Sequence, residues 1–364
     1  MTYTRRQFGA IALAGVPAGL LVRPAAAFAG FAQGKPNSKW AGVSVGMNVP
    51  YNFKTGNYMT AEDIIARCRT LGVSAMELRA QPVELFMGSP AAIAGAAAGG
   101  NRGRGAGARG EGRQGAADGA APAPGAGGEA QAAGAERGRG AGRAAPTPEQ
   151  QAAQRAAAEE TRKWRTSASM DKVKEFRRLF DDAGIGLNII KWDGIFGMSD
   201  DEVDYCFQVT KALGAAALST EISIEDTKRV GQFADKHKMP IGYHGHATTS
   251  AADFETVLSY AKYNAVNLDL GHFTAGQNES PVPFIKKHYA RITHVHVKDR
   301  KLNNGPNVPF GQGDTPIKET LQLMRDNKWP FQAIVEFEYP VPAGSDLDTE
   351  LAKTMQYCKE CLLG

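Results

Sequence analysis

The sequence predicts an α/β protein, a (β/α)8 TIM barrel with a disordered insertion rich in Gly, Ala and Arg after its second strand. Three observations support this prediction. Eight short apolar segments alternate with segments of helical periodicity. Setting aside an export-like segment (1–29) and the insertion (89–160) leaves 263 of 364 residues, close to the ~250 typical of such barrels. Five of the seven histidines lie at the C-terminal ends of predicted strands, where these barrels bind ligands.

The composition excludes several other classes of protein. With 43% hydrophobic and 22% charged residues, the chain can form a core and is not disordered as a whole. Its 42 Lys and Arg residues nearly balance 38 Asp and Glu residues, which is not typical of a nucleic-acid-binding protein. Four cysteines are too few for a scaffold built from disulfides. We therefore expect no nucleic-acid partner.

Residues 1–29 have the organisation of an export signal. Arg5 and Arg6 precede an apolar run from 10 to 22, and small residues at A-x-A spacing follow. The motif around the two arginines resembles a twin-arginine signal. The alternative, a membrane anchor, needs a longer apolar run, because a helix must cross ~30 Å of hydrocarbon. We expect a periplasmic or otherwise extracytoplasmic protein with no stable membrane span, whose barrel domain comprises residues 30–364.

Residues 89–160 have the composition of a disordered insertion. They hold 17 of the 42 glycines, with no aromatic residue and no Leu, Val or Met. Such a segment cannot bury enough apolar surface to offset the entropy lost on ordering. Its tail, from about Pro148 to Glu160, is rich in Ala, Gln and Glu and can begin a helix. The alternative, an Arg/Gly-rich nucleic-acid-binding segment, is disfavoured because eight Arg residues are balanced by seven acidic residues and no aromatic is present.

The eight strands are predicted from short apolar segments bounded by polar residues, glycine or proline. Because helical segments separate them, we expect a parallel sheet. In chain order the predicted strands are Gly42–Val49, Ala75–Arg79, Gly186–Lys191, Ala216–Ile222, Pro240–His246, Ala265–Leu270, Ile292–Lys298 and Phe331–Tyr339.

Each predicted strand is followed by a segment with helical periodicity, which favours a closed barrel over an open sheet. Several helix starts are readable: Thr60 precedes acidic residues in a first turn, and Thr315 before Pro316 predicts an N-cap. In chain order the predicted helices are Ala61–Leu71, Ser167–Ala183, Asp200–Leu213, Ile224–His237, Ala251–Tyr263, Pro283–Tyr289, Pro316–Asn327 and Leu347–Leu362.

Polar side chains face the inside of the predicted barrel at its C-terminal end. Side chains two residues apart in a strand share a face. The inward pairs are His244 and His246, His294 and His296, and Glu336 and Glu338. Asp269 lies between outward-facing apolar neighbours and points inward as well. Carboxylates and imidazoles that converge from four strands are the ligands a divalent cation needs.

A structural role is the alternative for each of these residues. A single buried histidine or glutamate is more often a hydrogen-bonded core residue than a ligand, and we favour that interpretation for His294, which lies deeper than His296. Four strands that each contribute an inward polar residue at matching depth are harder to explain in this way. We therefore expect Asp269, His296 and Glu336 to belong to one site.

Three sequence blocks resemble a known family. They are Asn267-Leu268-Asp269-Leu270-Gly271-His272, His294-Val295-His296-Val297-Lys298-Asp299-Arg300 and Ile334-Val335-Glu336-Phe337-Glu338. In this order and on these strands they resemble the xylose-isomerase-like sugar phosphate isomerase/epimerase family, which includes ketose 3-epimerases and inosose dehydratases. The resemblance covers residues 41–362 without the insertion.

The resemblance implies a divalent metal ion, Mn²⁺, Mg²⁺ or a similar ion, bound by Glu, Asp, His and Glu from successive strands. The last three ligands correspond to Asp269, His296 and Glu336. The first departs from the family pattern, because the fifth strand offers His244 and His246 instead of a glutamate. We expect His246, nearer the mouth, to be the fourth ligand, with Glu221 as its substitute. This departure also leaves open the family's usual two-glutamate proton relay.

The resemblance further implies roles around the ion. His272 would bind a substrate oxygen, and Lys298 or Arg300 would stabilise developing negative charge. Glu336 would serve as both ligand and base. The candidate bases on the other side of the substrate are His244 and Glu221.

Two further residues are weaker candidates for substrate binding. Glu77, at the end of the second strand, is placed to reach sugar hydroxyls, although a surface salt bridge explains it equally well. Trp192, after the third strand, is placed to stack on a sugar face, and packing in the core is the alternative.

We therefore expect a metal-dependent isomerase or epimerase that acts on a ketose or keto-sugar through a metal-stabilised enediolate. One alternative is a lyase or dehydratase acting on keto-sugars or keto-glycosides at the same site; export and the missing glutamate relay favour it. A second alternative is a sugar-binding barrel without catalytic activity. All three take a small carbohydrate as partner, and a homo-oligomer is compatible with each.

Overall fold

The computed structural model of the protein describes residues 34–100 and 147–364. The predicted export signal and the central part of the predicted insertion, residues 101–146, lie outside these ranges. Within them, no helix combines the length and the apolar character needed to cross a bilayer.

Eight parallel strands close into a barrel, which confirms the predicted fold. In the described ranges the strands are β1 (Lys39–Trp40), β2 (Val43–Val49), β3 (Ala75–Arg79), β4 (Gly186–Lys191), β5 (Ala217–Glu221), β6 (Ile241–His244), β7 (Asn264–Asp269), β8 (Ile292–Val297), β9 (Asp299–Arg300), β10 (Asn307–Val308) and β11 (Gln332–Val335). The barrel order is β2-β3-β4-β5-β6-β7-β8-β11, and β11 pairs with β2 to close the ring. All eight predicted strands are present, with ends shifted by four residues at most. Strand β1 extends the sheet antiparallel to β2, and β9 and β10 form a small hairpin.

Helices surround the barrel and cover the apolar outer face of its strands. In the described ranges they are α1 (Ala61–Leu71), α2 (Gln81–Met87), α3 (Pro90–Gly100), α4 (Pro148–Ser167), α5 (Met170–Ala183), α6 (Asp200–Ala212), α7 (Thr227–His237), α8 (Ala251–Tyr260), α9 (Leu270–Gln277), α10 (Val282–His288), α11 (Ile317–Asp326) and α12 (Leu347–Leu363). The core lies between the two layers, where the strands' outward side chains meet buried aromatic residues of the helices such as Phe176, Phe180 and Phe207.

The sequence predicted a helix start at Thr60 and an N-cap at Thr315, and the structure confirms only the first. Thr60 caps α1 by accepting a hydrogen bond from the Asp63 N–H, as expected for an N-cap. Thr315 does not cap α11, which begins at Ile317 after Pro316. Its hydroxyl instead accepts from the Arg300 N–H at 3.0 Å, so a tertiary contact replaces the predicted cap.

Both ends of the predicted insertion are helical, of which the helix beginning near Pro148 was expected and the one at the first end was not. Helix α3 occupies the first end and α4 the second. Alanine has the highest helix propensity, and α4 starts with a capping box between Thr147 and Gln150. Arg165 then ties α4 to the barrel's helical layer through Glu84 at 2.8 Å and Glu202 at 3.0 Å.

The last barrel strand ends four residues earlier than predicted, at Val335. The Asn52 side chain donates to the Val335 carbonyl at 2.7 Å and accepts from the Phe337 N–H at 2.9 Å, so it takes the place of a neighbouring strand. The Glu336 N–H still donates to the Val297 carbonyl at 3.0 Å. Glu336 is thereby held at the C-terminal mouth of the barrel.

Candidate functional site

Four consecutive strands of the ring bring four polar side chains together at the barrel mouth. The register places Asp269 of β7 beside His296 of β8, while His244 ends β6 and Glu336 follows β11. One ligand atom from each residue, a ring nitrogen or a carboxylate oxygen, lies within 4.8 Å of the other three. We refer to these residues as the four-residue cluster: His244, Asp269, His296 and Glu336.

The four-residue cluster is buried, and two of its polar atoms make no hydrogen bond. Each of its residues is at most 4% exposed. His296 Nδ1 and Glu336 Oε2 lie 3.3 Å apart, and neither has a hydrogen-bond partner. Unsatisfied polar atoms are rare in protein interiors because each costs about 1–3 kcal/mol. Glu336 Oε2 is nevertheless ion-paired with Lys298 at 2.7 Å, so His296 Nδ1 is the atom that faces the carboxylates without a partner.

A buried ammonium group lies beside the cluster. Lys298 Nζ is 3.1 Å from Asp269 Oδ2 and 2.7 Å from Glu336 Oε2, the latter an ion pair without hydrogen-bond geometry. It also donates to Glu338 Oε2 at 2.7 Å. Burial opposes the charge of Lys298, but the three carboxylates raise its pKa well above the ordinary value. Burial likewise opposes the charge of Asp269, and Lys298 holds the pKa of that carboxyl well below its usual range.

The predicted substrate-binding residues His272, Lys298 and Arg300 form a connected group next to the cluster. Lys298 Nζ lies 3.1 Å from His272 Nε2, and Arg300 Nη1 lies 2.8 Å from His272 Nδ1. Burial and the charge of Lys298 lower the pKa of His272 well below its ordinary value, so the ring is neutral at pH 7. The Asp269 carboxylate accepts from the His272 N–H at 2.7 Å, which joins the first turn of α9 to the cluster. Their roles toward a substrate stay predictions.

Glu221 joins three basic groups on the β4–β6 side of the mouth. Its Oε2 accepts from His244 Nδ1 at 3.0 Å and from His246 Nε2 at 2.9 Å, and its Oε1 accepts from Lys191 Nζ at 2.7 Å. Burial opposes the charge of Glu221, but His244 and Lys191 hold its pKa far below the usual range. The Glu221 side chain is 43% exposed, so this ionised carboxylate is accessible from the mouth.

Glu77 joins two histidines beneath the cluster. Its Oε2 lies 2.7 Å from His296 Nε2 and its Oε1 lies 3.2 Å from His294 Nε2. The Thr293 hydroxyl lies 2.9 Å from His294 Nδ1, so both nitrogens of that ring have partners. The hydrogen-bonded core role that we favoured for His294 agrees with these contacts.

The structure does not bring His246 into the four-residue cluster but groups its ligand atom with those of Glu221 and His244, so its expected role as fourth ligand stays a prediction. Strand β6 ends at His244, so the alternation of side chains cannot be extended to His246. The His246 side chain is 50% exposed and bonds to Glu221 instead. His244, two residues deeper, reaches Asp269 Oδ2 with its Nε2 at 3.5 Å and completes the cluster.

Two predicted substrate-binding residues are buried. Glu77 is 0% exposed, so neither a sugar hydroxyl nor a surface salt bridge explains it. Trp192 is 2% exposed, donates to Thr210 Oγ1 at 3.1 Å and packs edge-on against Tyr205 in α6. Trp192 is therefore part of the core between the barrel and its helices, the alternative to stacking on a sugar.

Several polar residues of the site were missed in the sequence. Asn48 donates to Glu336 Oε1 at 3.0 Å, and the Tyr51 hydroxyl donates to Glu338 Oε1 at 2.9 Å. Lys191 supports Glu221, as described above. Asn48 and Lys191 interrupt apolar strands near their C-terminal ends, which is the signal that identified the histidines. Tyr51 follows its strand and carries no comparable signal.

Comparison with known proteins agrees with this architecture. The family model described as "Xylose isomerase-like TIM barrel" matches residues 151–361. Inosose dehydratases from two strains of Clostridium botulinum are 27% identical over 154 residues, covering 36% of this chain and 51% of theirs. The chain thus spans about half the length of the curated relatives it matches.

Solved structures show the same fold at low sequence identity. D-psicose 3-epimerase from Clostridium cellulolyticum superposes with a TM-score of 0.52 and 11% identity, covering 88% of this chain and 99% of that one. The probable 3-DHS dehydratase AsbF from Bacillus anthracis gives a TM-score of 0.51 and 11% identity, covering 86% and 97%. By the match over 151–361 and the closed eight-stranded ring, the chain belongs to the xylose isomerase-like TIM barrel family.

Proposed function

We propose that the protein is a metal-dependent isomerase or epimerase of a ketose or keto-sugar. The four-residue cluster is the observation that supports this most strongly, because its ligand atoms lie within 4.8 Å of one another at the barrel mouth. Two imidazole nitrogens and two carboxylate oxygens suit Mn²⁺ or a similar divalent ion, whereas Mg²⁺ prefers a shell of oxygen ligands.

The residues present fit such an ion. His296 Nδ1 is buried and makes no hydrogen bond, which a bound cation would remedy. Asp269 Oδ2 and His244 Nε2, 3.5 Å apart, complete the ligand set. Lys298 contacts the same carboxylates, but it also pairs with Glu338, which lies outside the cluster. The Lys298 ammonium would therefore keep Glu338 as its counter-charge if a metal ion bound Asp269 and Glu336.

A bound divalent cation would stabilise the negative charge that develops on a carbonyl oxygen when a proton leaves the adjacent carbon. The chain's own groups would transfer the proton. Glu336, held by Asn48, projects from the β11 side, and the hydrogen-bonded pair of His246 and Glu221 lies across the mouth. Removal of a proton by Glu336 and its return by His246 on the opposite face would give an epimer.

The remaining groups of the mouth would bind substrate oxygens. Lys298 and Arg300 carry positive charge, and both contact the neutral ring of His272. Together they would orient a carbonyl and its neighbouring hydroxyls above the cluster, and charge-assisted hydrogen bonds of this kind are the stronger ones.

Metal analysis of purified variants tests the proposal. After loading with Mn²⁺ and gel filtration, we expect about one ion per chain in the wild type and little in Asp269→Ala or His296→Ala, since each loses a ligand. His288→Ala is the matched control, because His288 bonds to Glu255 away from the cluster. Equal metal content in all four proteins would contradict the proposal.

The reaction type is tested with ketoses in D₂O. Isomerisation or epimerisation would introduce deuterium next to the carbonyl and otherwise leave the mass of the sugar unchanged. Dehydration, the second candidate, would release water, and the similarity to inosose dehydratases favours it. Binding of a sugar with neither exchange nor product would instead support a sugar-binding barrel without catalytic activity.

A further inference from the structure

His296 presents one ring nitrogen to the four-residue cluster and the other to a buried carboxylate. Its Nδ1 lies 3.3 Å from Glu336 Oε2 and 3.7 Å from Asp269 Oδ2. Its Nε2 lies 2.7 Å from Glu77 Oε2. His296 and Glu77 are both 0% exposed, so this contact is closed to solvent and to substrate.

The short contact with Glu77 determines which nitrogen of His296 carries a proton. An unprotonated Nε2 would place two acceptors 2.7 Å apart, so Nε2–H must donate to the carboxylate. The neutral ring then has its lone pair on Nδ1, the atom that faces Asp269 and Glu336. The amide nitrogen of Asn267, a donor, lies 3.2 Å from Nε2, but the carboxylate is closer and charged, so its contact decides the tautomer. Nδ1 makes no hydrogen bond.

His244 repeats this arrangement with its nitrogens exchanged. Its Nδ1 lies 3.0 Å from Glu221 Oε2, and its Nε2 faces Asp269 Oδ2 at 3.5 Å. Each supporting carboxylate is in turn held through its second oxygen. Lys191 Nζ, itself 2% exposed, donates to Glu221 Oε1 at 2.7 Å, as His294 does to Glu77 Oε1 at 3.2 Å.

We propose that Glu77 and Glu221 are positioning residues of the metal site, which lock His296 to present Nδ1 and His244 to present Nε2. This inference rests on the proposed metal-dependent function. Metal-binding histidines commonly donate their other N–H to a carboxylate, which fixes the ring and makes the ligand nitrogen more basic. Neither glutamate is itself a ligand in the four-residue cluster, and Glu77 touches no group that a substrate can reach.

Metal affinity of charge-neutral variants tests the proposal. Glu77→Gln and Glu221→Gln keep the size of the side chain and remove its charge. We expect Mn²⁺, titrated against a competing chelator, to bind about 10- to 100-fold more weakly to each variant than to the wild type. Glu84→Gln is the matched control, because Glu84 is a buried carboxylate paired with Arg165 outside the site. We expect its affinity for Mn²⁺ to equal that of the wild type.

The outcomes separate this inference from the proposed function. A wild type that binds no Mn²⁺ would overturn the metal-dependent function, and the inference with it. Wild-type affinity in Glu77→Gln and Glu221→Gln would overturn the inference alone and leave the metal site standing. An equal loss of affinity in Glu84→Gln would also overturn it, because the effect would then not be specific to the two carboxylates.

A measurement on the wild type does not depend on the folding of any variant. With ¹⁵N-labelled histidine and Zn²⁺ as a diamagnetic ion, we expect a proton on Nε2 of His296 and on Nδ1 of His244. His296→Gln and His244→Gln would assign the two sets of resonances. The same protonated nitrogen on both rings, or a proton on His296 Nδ1 and none on Nε2, would overturn the proposal.

Discussion

The site contains two groups in which a carboxylate bonds to histidines. They are built alike but differ in their exposure to solvent. We call the buried one the closed arm: Glu77, His294 and His296. We call the other the open arm: Lys191, Glu221, His244 and His246. Every side chain of the closed arm is 0% exposed, whereas the open arm ends in side chains that are 43% and 50% exposed. The same histidine–carboxylate contact thus occurs once in the buried interior and once in a partly exposed position.

The order of strands in the ring explains the difference. The closed arm joins β3 to β8, which are not neighbours, so its contacts cross the barrel interior and are shielded on all sides. The open arm follows β4, β5 and β6, three consecutive strands, along the rim of the mouth. In the function we propose, the closed arm would hold a metal ligand rigidly, and the position of the open arm on the rim would let Glu221 and His246 contact substrate.

Loss of Glu77 should produce the largest effect on folding. Glu77→Ala removes a carboxylate that is fully buried between two histidines, and we expect about 3 kcal/mol lower unfolding free energy in metal-free protein. For Glu221→Ala we expect a smaller loss, because water can reach the space of this 43% exposed carboxylate, although its partner Lys191 is buried. Urea denaturation of both variants measures the difference. If both variants lost the same unfolding free energy, solvent exposure would not explain how much each carboxylate stabilises the fold.

His294 of the closed arm and His244 of the open arm should respond to acid with opposite signs. Burial lowers the pKa of His294 to about 4, below the ~6.5 of an unfolded chain. Between these values the unfolded state binds more protons, so His294 makes the fold about 2–3 kcal/mol less stable as pH falls from ~6.5 to ~4. Burial opposes the charge of His244, but Glu221 raises its pKa, so its contribution is present in acid and is lost as pH rises through the raised value.

Variants of the two histidines measure these signs in metal-free protein. Relative to wild type, His294→Asn should lose less stability at pH 5 than at pH 8, and His244→Asn should lose more at pH 5 than at pH 8. Urea denaturation at both pH values gives the comparison. The same sign for both variants would contradict the assignment of charge to these two histidines.

His246→Ala should have the smallest effect on folding and on metal binding. The ring is half exposed and lies outside the four-residue cluster, so we expect a change of about 0.5 kcal/mol or less in unfolding free energy. We also expect unchanged Mn²⁺ content, measured by mass spectrometry beside His244→Ala, which should lose the ion. A loss of metal in His246→Ala would restore His246 as the fourth ligand.

Most of the barrel was predictable because its strands are short, apolar and separated by helical periodicity. The predicted bounds of Ala75–Arg79 and Gly186–Lys191 coincide with β3 and β4. The last strand was predicted too long because a side chain, Asn52, satisfies the backbone beyond Val335. No local pattern distinguishes that arrangement from continued strand pairing.

The candidate site was partly predictable for the same reason. Inward polar residues at strand ends identified Asp269, His296 and Glu336, which the structure brings together. Alternation cannot choose between His244 and His246, since both belong to one face. The choice depends on where β6 ends and on how far each ring lies from Asp269, and these are properties of the folded barrel.

The sequence by itself determined the eight-stranded ring and the end of it at which charged and imidazole groups gather, because periodicity and residue type are local. Only the tertiary structure decided how deeply each of these side chains is buried and which residues it contacts. Glu77 meets two histidines more than 200 positions away across the barrel, and Trp192 turns into the helical layer. The stagger of neighbouring strands sets the height of each side chain, and that stagger exists only once the ring has closed.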